Sequence, residues 1–174
     1  MRFNVLVGEI MKTDIKSVRP EDDIESAAKI MRDNGIGSVV VKADKNILGI
    51  VTTTDIVYKH VAGKRGHKIQ DIMTTDLVNI SPRMNIGAAA KLMSQKNIEK
   101  LLVFDKGSLV GIITSNDILG VEPALFEVLL ERMKMGGMPQ ADMSEYAQCE
   151  ACGNYDDSVG EIEGEYTCEE CKGS

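Results

Sequence analysis

The sequence predicts an α/β (α+β) chain in which two βαββα repeats, related by a pseudo-twofold axis, are followed by a small β-rich metal-binding ribbon. Three observations predict it. The chain aligns with itself at an offset of 62 residues, without a gap, giving 17 identities over the 47 positions from 10 to 56. Self-similarity of this kind marks repeated supersecondary units. Within each copy the apolar period changes from helix-like to strand-like. Four cysteines stand as Cys149-Glu150-Ala151-Cys152 and Cys168-Glu169-Glu170-Cys171, and the first 148 residues contain none. The expected organisation is 1–62 for the first repeat, 63–122 for the second, 123–140 for a helix and linker, and 141–174 for the four-cysteine module.

The repeats open on Ile10-Met11-Lys12-Thr13-Asp14 and Ile72-Met73-Thr74-Thr75-Asp76, and Pro20 or Pro82 precedes the longest helix of each. In that helix Ile24, Ala27, Ala28 and Met31 fall at i, i+3, i+4 and i+7, as do Ile86, Ala89, Ala90 and Met93. Each set forms one apolar stripe, so these residues are core. Two short apolar runs follow, 39–41 with 47–51 and 101–104 with 109–113. Asp44-Lys45-Asn46 and Asp105-Lys106-Gly107-Ser108 separate them with turn chemistry, predicting hairpins. A short helix then starts at a Thr–Asp segment. Each unit has one open apolar face, so the two are expected to pack together. Residues 59–68 form a basic linker whose Gly63-Lys64 lacks the other positions of a P-loop. It is read as a solvated loop whose charge attracts phosphates. Pro123–Lys134 reads as a helix with proline in its first turn and cations at its end, broken by Gly136-Gly137-Met138-Pro139.

Apolar residues make up 43 % of the chain, enough for a true core, while the longest apolar runs span only a few residues. A membrane helix needs about 18 to 20. The N-terminus meets Glu9 before any signal-like apolar stretch, which predicts a soluble, cytoplasmic protein. The net charge of −7 hides a split: residues 1–135 hold 19 basic and 17 acidic side chains, and residues 136–174 hold one and ten. An acidic tail repels phosphate backbones, which disfavours nucleic acid as a partner. His60 and His67 both fall in the linker, and no Ser or Cys outside the cysteine pairs has a base placed by motif. The chain is therefore expected not to be an enzyme.

The repeat's candidate for chemistry is Gly49-Ile50-Val51-Thr52-Thr53-Thr54-Asp55, echoed by Gly111-Ile112-Ile113-Thr114-Ser115-Asn116-Asp117. Thr52 with Asp55, and Thr114 with Asp117, have the form of a helix capping box, and capping alone could explain them. The same geometry suits a nucleotide. A helix N-terminus offers N–H groups and a hydroxyl to phosphate, and a carboxylate one turn inside can accept hydrogen bonds from a ribose diol. A cap by itself requires neither the Gly-apolar-apolar run nor the upstream Thr-Asp element, yet both copies carry both.

Residues 7 to about 122 resemble a tandem pair of CBS domains, a Bateman module, in the Ile-Met-x-Thr openings, the proline before the first helix and the Gly-h-h-Thr-x-x-Asp closings. The resemblance implies adenosyl ligands such as AMP, ADP, ATP or S-adenosylmethionine in clefts between the repeats, and a homodimer. It implies that Asp55 and Asp117 hold ribose hydroxyls, that Thr52 and Thr114 lie near phosphate, that Thr13, Asp14, Ile15 and Thr75, Asp76, Leu77 lie beside adenine, and that Asn116 belongs to the nucleotide site. The position before the second strand, frequently basic in the family, is Ser38 in the first repeat and Lys100 in the second, so the two clefts are unequal. The family's proline in that strand is replaced by Val40 and Leu102.

Two C-x2-C pairs fifteen residues apart satisfy tetrahedral coordination by Cys149, Cys152, Cys168 and Cys171, since each pair forms a knuckle presenting two sulfurs. Clustered cysteines in a cytosolic chain point to metal before disulfides. So short a tail has almost no core, and the metal should supply most of its folding free energy. The segment resembles zinc ribbons and, over Tyr146–Asp156, the opening of a rubredoxin. It departs at the second knuckle, where rubredoxins carry Cys-Pro-x-Cys-Gly. Four sulfurs suit zinc and iron alike, zinc being the first choice for a structural role. Tyr146, Tyr155 and Tyr166 are expected to form the tail's own miniature core. Together these features describe a regulatory nucleotide-sensing protein with an unidentified protein target. The alternative is a rubredoxin-like iron electron carrier gated by nucleotide.

Overall fold

The computed structural model describes residues 5–123, 146–162 and 164–172. The expected helix and linker over 123–140 lie outside them except for Pro123. The chain opens on a short helix α1 (Val7–Ile10), followed by β1 (Ser17–Val18), α2 (Ile24–Asn34) and the hairpin β2 (Ser38–Ala43) and β3 (Asn46–Thr52). One turn, α3 (Thr53–Asp55), runs on as a π-helical stretch, Ile56–Ala62. The second repeat gives α4 (Ile69–Ile72), β4 (Asn79–Ile80), α5 (Ile86–Lys96), β5 (Lys100–Asp105), β6 (Ser108–Thr114) and α6 (Ser115–Val121). The tail adds β7 (Ala147–Gln148), β8 (Tyr155–Asp156), β9 (Gly160–Ile162) and β10 (Glu165–Thr167).

In each repeat the first strand lies parallel to the second, and the second pairs antiparallel with the third. The helix stripe is buried as its spacing predicts: Ile24, Ala27 and Met31 in α2, and Ile86, Ala89, Ala90 and Met93 in α5, are at most 3 % exposed. Ala28 stays partly exposed, so the first stripe is narrower than the second. Helix α2 stops at Gly35, whose φ of 62° is the left-handed conformation favoured by glycine. Asn97, the other residue type that tolerates it, does the same for α5 with φ 53°.

The compact units are offset from the sequence repeats. One runs from Asp14 to Leu77; the other joins Met1–Thr13 to Val78–Ser174. Each repeat thus surrenders its opening segment to the other. Ile69 and Ile72 of α4 are buried with Val18, Ile24, Val39 and Val51, whereas Val7 of α1 is buried with Ile80, Ile86, Leu101 and Ile113. The exchange is sealed by backbone pairing of Thr74 with Ile50 (N···O 2.9 and 3.0 Å) and of Lys12 with Ile112 (2.9 and 3.0 Å). This close approach explains the motif glycines. A Cβ on Gly49 would lie 2.7 Å from the Thr74 carbonyl oxygen, and one on Gly111 would collide with the Met11 side chain. The Thr74 carbonyl cannot retreat without losing its bond from Ile50. Gly49→Ala is expected to destabilise the Asp14–Leu77 unit by about 1 to 3 kcal/mol, the usual cost of overpacking. Urea unfolding read by hydrogen exchange in β3 would measure it.

Among the described residues the tail has no core of its own. Tyr146 is 8 % exposed within the core of the second repeat, and Tyr155 packs against that core. Tyr166 is 48 % exposed. The expected miniature tyrosine core is therefore corrected: the short strands β7–β10 cannot enclose three rings, and two of them turn onto the existing core instead. The Lys96 ammonium sits 4.5 Å from the Tyr155 ring centroid. The Asn154 amide donates to the Phe104 carbonyl (3.4 Å), and Asn154 bridges to Asn79 of β4.

Candidate functional site

In each unit the closing Thr-x-x-Asp builds a reciprocal cap. The Thr52 N–H and hydroxyl donate to Asp55 Oδ2 (2.9 and 2.7 Å), and the Asp55 N–H donates to Thr52 Oγ1 (3.1 Å). Thr114 and Asp117 repeat the arrangement at 2.9, 2.7 and 3.3 Å. The capping-box geometry is thus present in both copies, and it occupies only one oxygen of each carboxylate. The other oxygen meets a lysine. Lys59 Nζ lies 2.7 Å from Asp55 Oδ1, and Lys12 Nζ lies 2.9 Å from Asp117 Oδ1. Burial raises the pKa of both carboxyls, but the hydrogen bonds from Lys59 and Thr52, and from Thr114 and Lys12, outweigh it and hold both below the ordinary aspartate value.

The strand register brings the basic-or-neutral position to the same place. Ser38 pairs across from Thr52 and Lys100 from Thr114, and the residue preceding each accepts a backbone hydrogen bond from the first residue of the closing helix. Lys100 Nζ stands 3.9 Å from Glu99 Oε2. Thr13 follows Lys12 in the unit of Asp117, and Thr75 follows Thr74 in the unit of Asp55, whose Oδ1 is 3.4 Å from the Thr74 hydroxyl. Thr13, Asp14, Thr75, Asp76 and Asn116 are exposed, while Ile15 and Leu77 are partly covered. Asp14 is engaged by Lys16 at 2.9 Å. Sequence reasoning missed both lysines. Lys59 stands four residues after Asp55 on a helical segment, a legible ion-pair spacing. Lys12 reaches Asp117 only through the exchanged segment, and no local pattern signals it.

The four cysteine sulfurs converge within 4.8 Å of one another, with Cys152 and Cys168 Sγ 3.9 Å apart. A tetrahedral ion at about 2.3 Å from each sulfur would set neighbouring sulfurs about 3.8 Å apart, so the donor set fits zinc or iron. Gly153, with φ 74°, closes the first knuckle, and its N–H donates to the Cys149 carbonyl (2.8 Å). The Cys168 N–H donates to Cys149 Sγ at 3.3 Å. Burial pushes the Cys149 thiol up, but the N–H groups of Cys168, Cys152 and Ala151 prevail and bring it down to about 6. Burial pushes Cys152 up to about 11 and also raises Cys171, which is crowded by the other sulfurs. Such a cluster cannot hold four thiolates without a cation among them. The second knuckle also holds the second repeat: Glu170 accepts from the Ser81 hydroxyl (3.2 Å) and pairs with Arg83 at 3.1 Å.

Comparison with known proteins agrees with this architecture. The CBS domain family model matches residues 7–61 and 69–123, and the chain belongs to that family. An uncharacterized protein of Methanopyrus kandleri is 34 % identical over 97 % of this chain and 91 % of its own length. The CBS domain pair of protein MJ0100, solved in complex with 5-methylthioadenosine and S-adenosyl-L-methionine, is similar with a TM-score of 0.64 and 27 % identity, covering 69 % of this chain and 97 % of that one. A conserved CBS domain protein of unknown function from Thermoplasma acidophilum shares the fold over 95 % of this chain and 94 % of its own, with a TM-score of 0.68 and 22 % identity. This chain is thus a mixed α+β CBS-pair protein carrying a small β-rich four-cysteine region. No described helix is long and apolar enough to cross a membrane.

Proposed function

We propose that the chain is a non-enzymatic regulator whose CBS pair takes an adenosyl ligand, AMP, ADP, ATP or S-adenosylmethionine, and whose four cysteines hold a structural zinc ion. The observation that carries this reading is the second oxygen of Asp55 and Asp117. In both copies the cap leaves that oxygen to a lysine, whereas a pure cap requires no cation. A ribose diol at such a carboxylate would exchange two neutral donors for an ammonium, and a lysine freed in this way would stand ready for a phosphate. The adenosyl ligands of the MJ0100 pair support the choice of ligand class. Adenine lies beside the Thr13–Ile15 and Thr75–Leu77 segments in this reading. A ligand changes the protein only by its differential affinity for two conformations. The tail shares a core with the second repeat, so it is placed to transmit such a change to a protein target. The exposed side chains Val57, Tyr58 and Val61 support self-association as a homodimer.

Titration calorimetry with AMP, ADP, ATP, S-adenosylmethionine and GMP tests the ligand; absence of binding by every adenosyl compound, or equal binding of GMP, overturns the reading. If Lys100 meets phosphate, Lys100→Ala should weaken ATP relative to adenosine, by a factor that shrinks as salt screens the attraction. Equal losses for the two ligands would return Lys100 to the solvated surface. Zinc is favoured over iron because the second knuckle ties the tail to Ser81 and Arg83, a structural task. Metal analysis and visible absorbance decide it, since an oxidised iron–thiolate centre is coloured and would move the chain to the electron-carrier alternative.

A further inference from the structure

The two lysines that hold the ribose carboxylates come from different places in the repeat and are held to different degrees. At the offset of 62 residues, Lys12 corresponds to Thr74 and Lys59 to Val121. Each unit therefore receives one lysine, but by opposite routes. Lys59 follows Asp55 on the same helical segment and uses all three of its N–H donors: Asp55 Oδ1 at 2.7 Å, the Ile72 carbonyl at 2.9 Å and Thr74 Oγ1 at 3.0 Å. Its side chain is 30 % exposed. The Thr74 hydroxyl turns back to Asp55, so carboxylate, ammonium and hydroxyl form a closed ring. Lys12 has Asp117 as its one ion-pair partner among the described residues, and its side chain is 57 % exposed.

From this contrast we infer that the chain loads a single adenosyl ligand, at Asp117, because Lys59 occupies the equivalent place at Asp55. The inference rests on the adenosyl-binding function proposed above. A ligand at Asp117 displaces an ammonium that water solvates at once. A ligand at Asp55 must break three hydrogen bonds of a partly buried ammonium. Each hydrogen bond to a charged group is worth about one to two orders of magnitude in an equilibrium constant, so losing all three puts the second site far out of reach at concentrations that fill the first. Charge adds to the difference. The Asp117 unit offers a releasable Lys12 and also Lys100, whereas the Asp55 unit offers Ser38 and a lysine already committed.

The test is the stoichiometry of AMP in titration calorimetry with the full-length, metal-loaded protein. The native chain is expected to take one AMP per chain, and Lys59→Met, which keeps the stem and removes the ammonium, to take two. A native chain that takes two with similar affinity, or a Lys59→Met variant that still takes one, overturns the inference and leaves the adenosyl reading standing. No binding by either protein overturns both. Should Lys59→Met fail to fold, reductive methylation of the native protein followed by mass spectrometry gives the same decision. Lys12 is expected to react fast and to change its rate on adding AMP, and Lys59 to react slowly with or without AMP. An AMP-dependent rate at Lys59 overturns the inference.

Discussion

Removing the metal, or changing Cys152→Ser, is expected to unfold residues 146–172 and to destabilise the second repeat with them while sparing the Asp14–Leu77 unit. The tail's strands are two or three residues long, too short to stand alone, so if the four cysteines hold the proposed ion, its loss removes most of what keeps them folded. A tail with the miniature core expected from the sequence would melt without consequence for the repeats. The structure predicts otherwise, because Tyr146 lies in the core with Ile80, Met84 and Ile86. Withdrawing a buried aromatic side chain costs about 3 to 5 kcal/mol in typical cores. Part of that returns as the exposed edge relaxes, so a loss of about 2 to 4 kcal/mol is expected. For a unit of this size that is on the order of 10 °C in its melting temperature. Three of the four tyrosines lie in the tail and there is no tryptophan, so tyrosine fluorescence anisotropy reports tail unfolding directly. Hydrogen exchange at Ile80 and Phe104, compared with Val40 and Val51, separates the two units. Equal protection in the holo and chelated protein at all four positions would show that the tail rests on the repeat without supporting it.

What the sequence made legible is what depends on near neighbours. The stripes of α2 and α5, the hairpins, the caps at Thr52 and Thr114, and the convergence of the four sulfurs all follow from spacing within a few residues or within two knuckles. The exchange of opening segments is of another kind. Ile10-Met11 and Ile72-Met73 are the same dipeptide, equally suited to either core, and only the chain's path decides which core receives which copy. Everything downstream of that choice was hidden with it, including the meeting of Lys12 with Asp117. The docking of the tail is likewise invisible from pattern. Ser81 and Arg83 carry no periodic signal for a partner in the second knuckle, nor does Asn79 for Asn154 beside the first, and a tyrosine announces an apolar surface without saying which surface it covers.

Asp117→Asn is expected to weaken AMP about 10- to 150-fold, the effect of removing the charge from an acceptor of two ribose hydrogen bonds. Asparagine is the informative replacement because its carbonyl can still accept from the Thr114 N–H at the place of Asp117 Oδ2. The start of α6 is thereby kept, and a loss of affinity reports on the ligand rather than on the cap. Two opposed effects act on the variant. The ribose loses a charged acceptor, which weakens binding, while Lys12 loses its partner and no longer has to be displaced, which strengthens it. The side-chain exposure of 57 % at Lys12 decides between them, since an ion pair so open to water is worth little in the free protein. The first effect therefore dominates. Lys12→Met separates the two terms: alone it removes the competitor and also the charge that would meet phosphate, so it should weaken ATP more than adenosine. In the Lys59→Met background, Asp55→Asn should weaken the second AMP by a similar factor. Native affinity for AMP in Asp117→Asn, with α6 shown intact by hydrogen exchange, would return this carboxylate to capping alone.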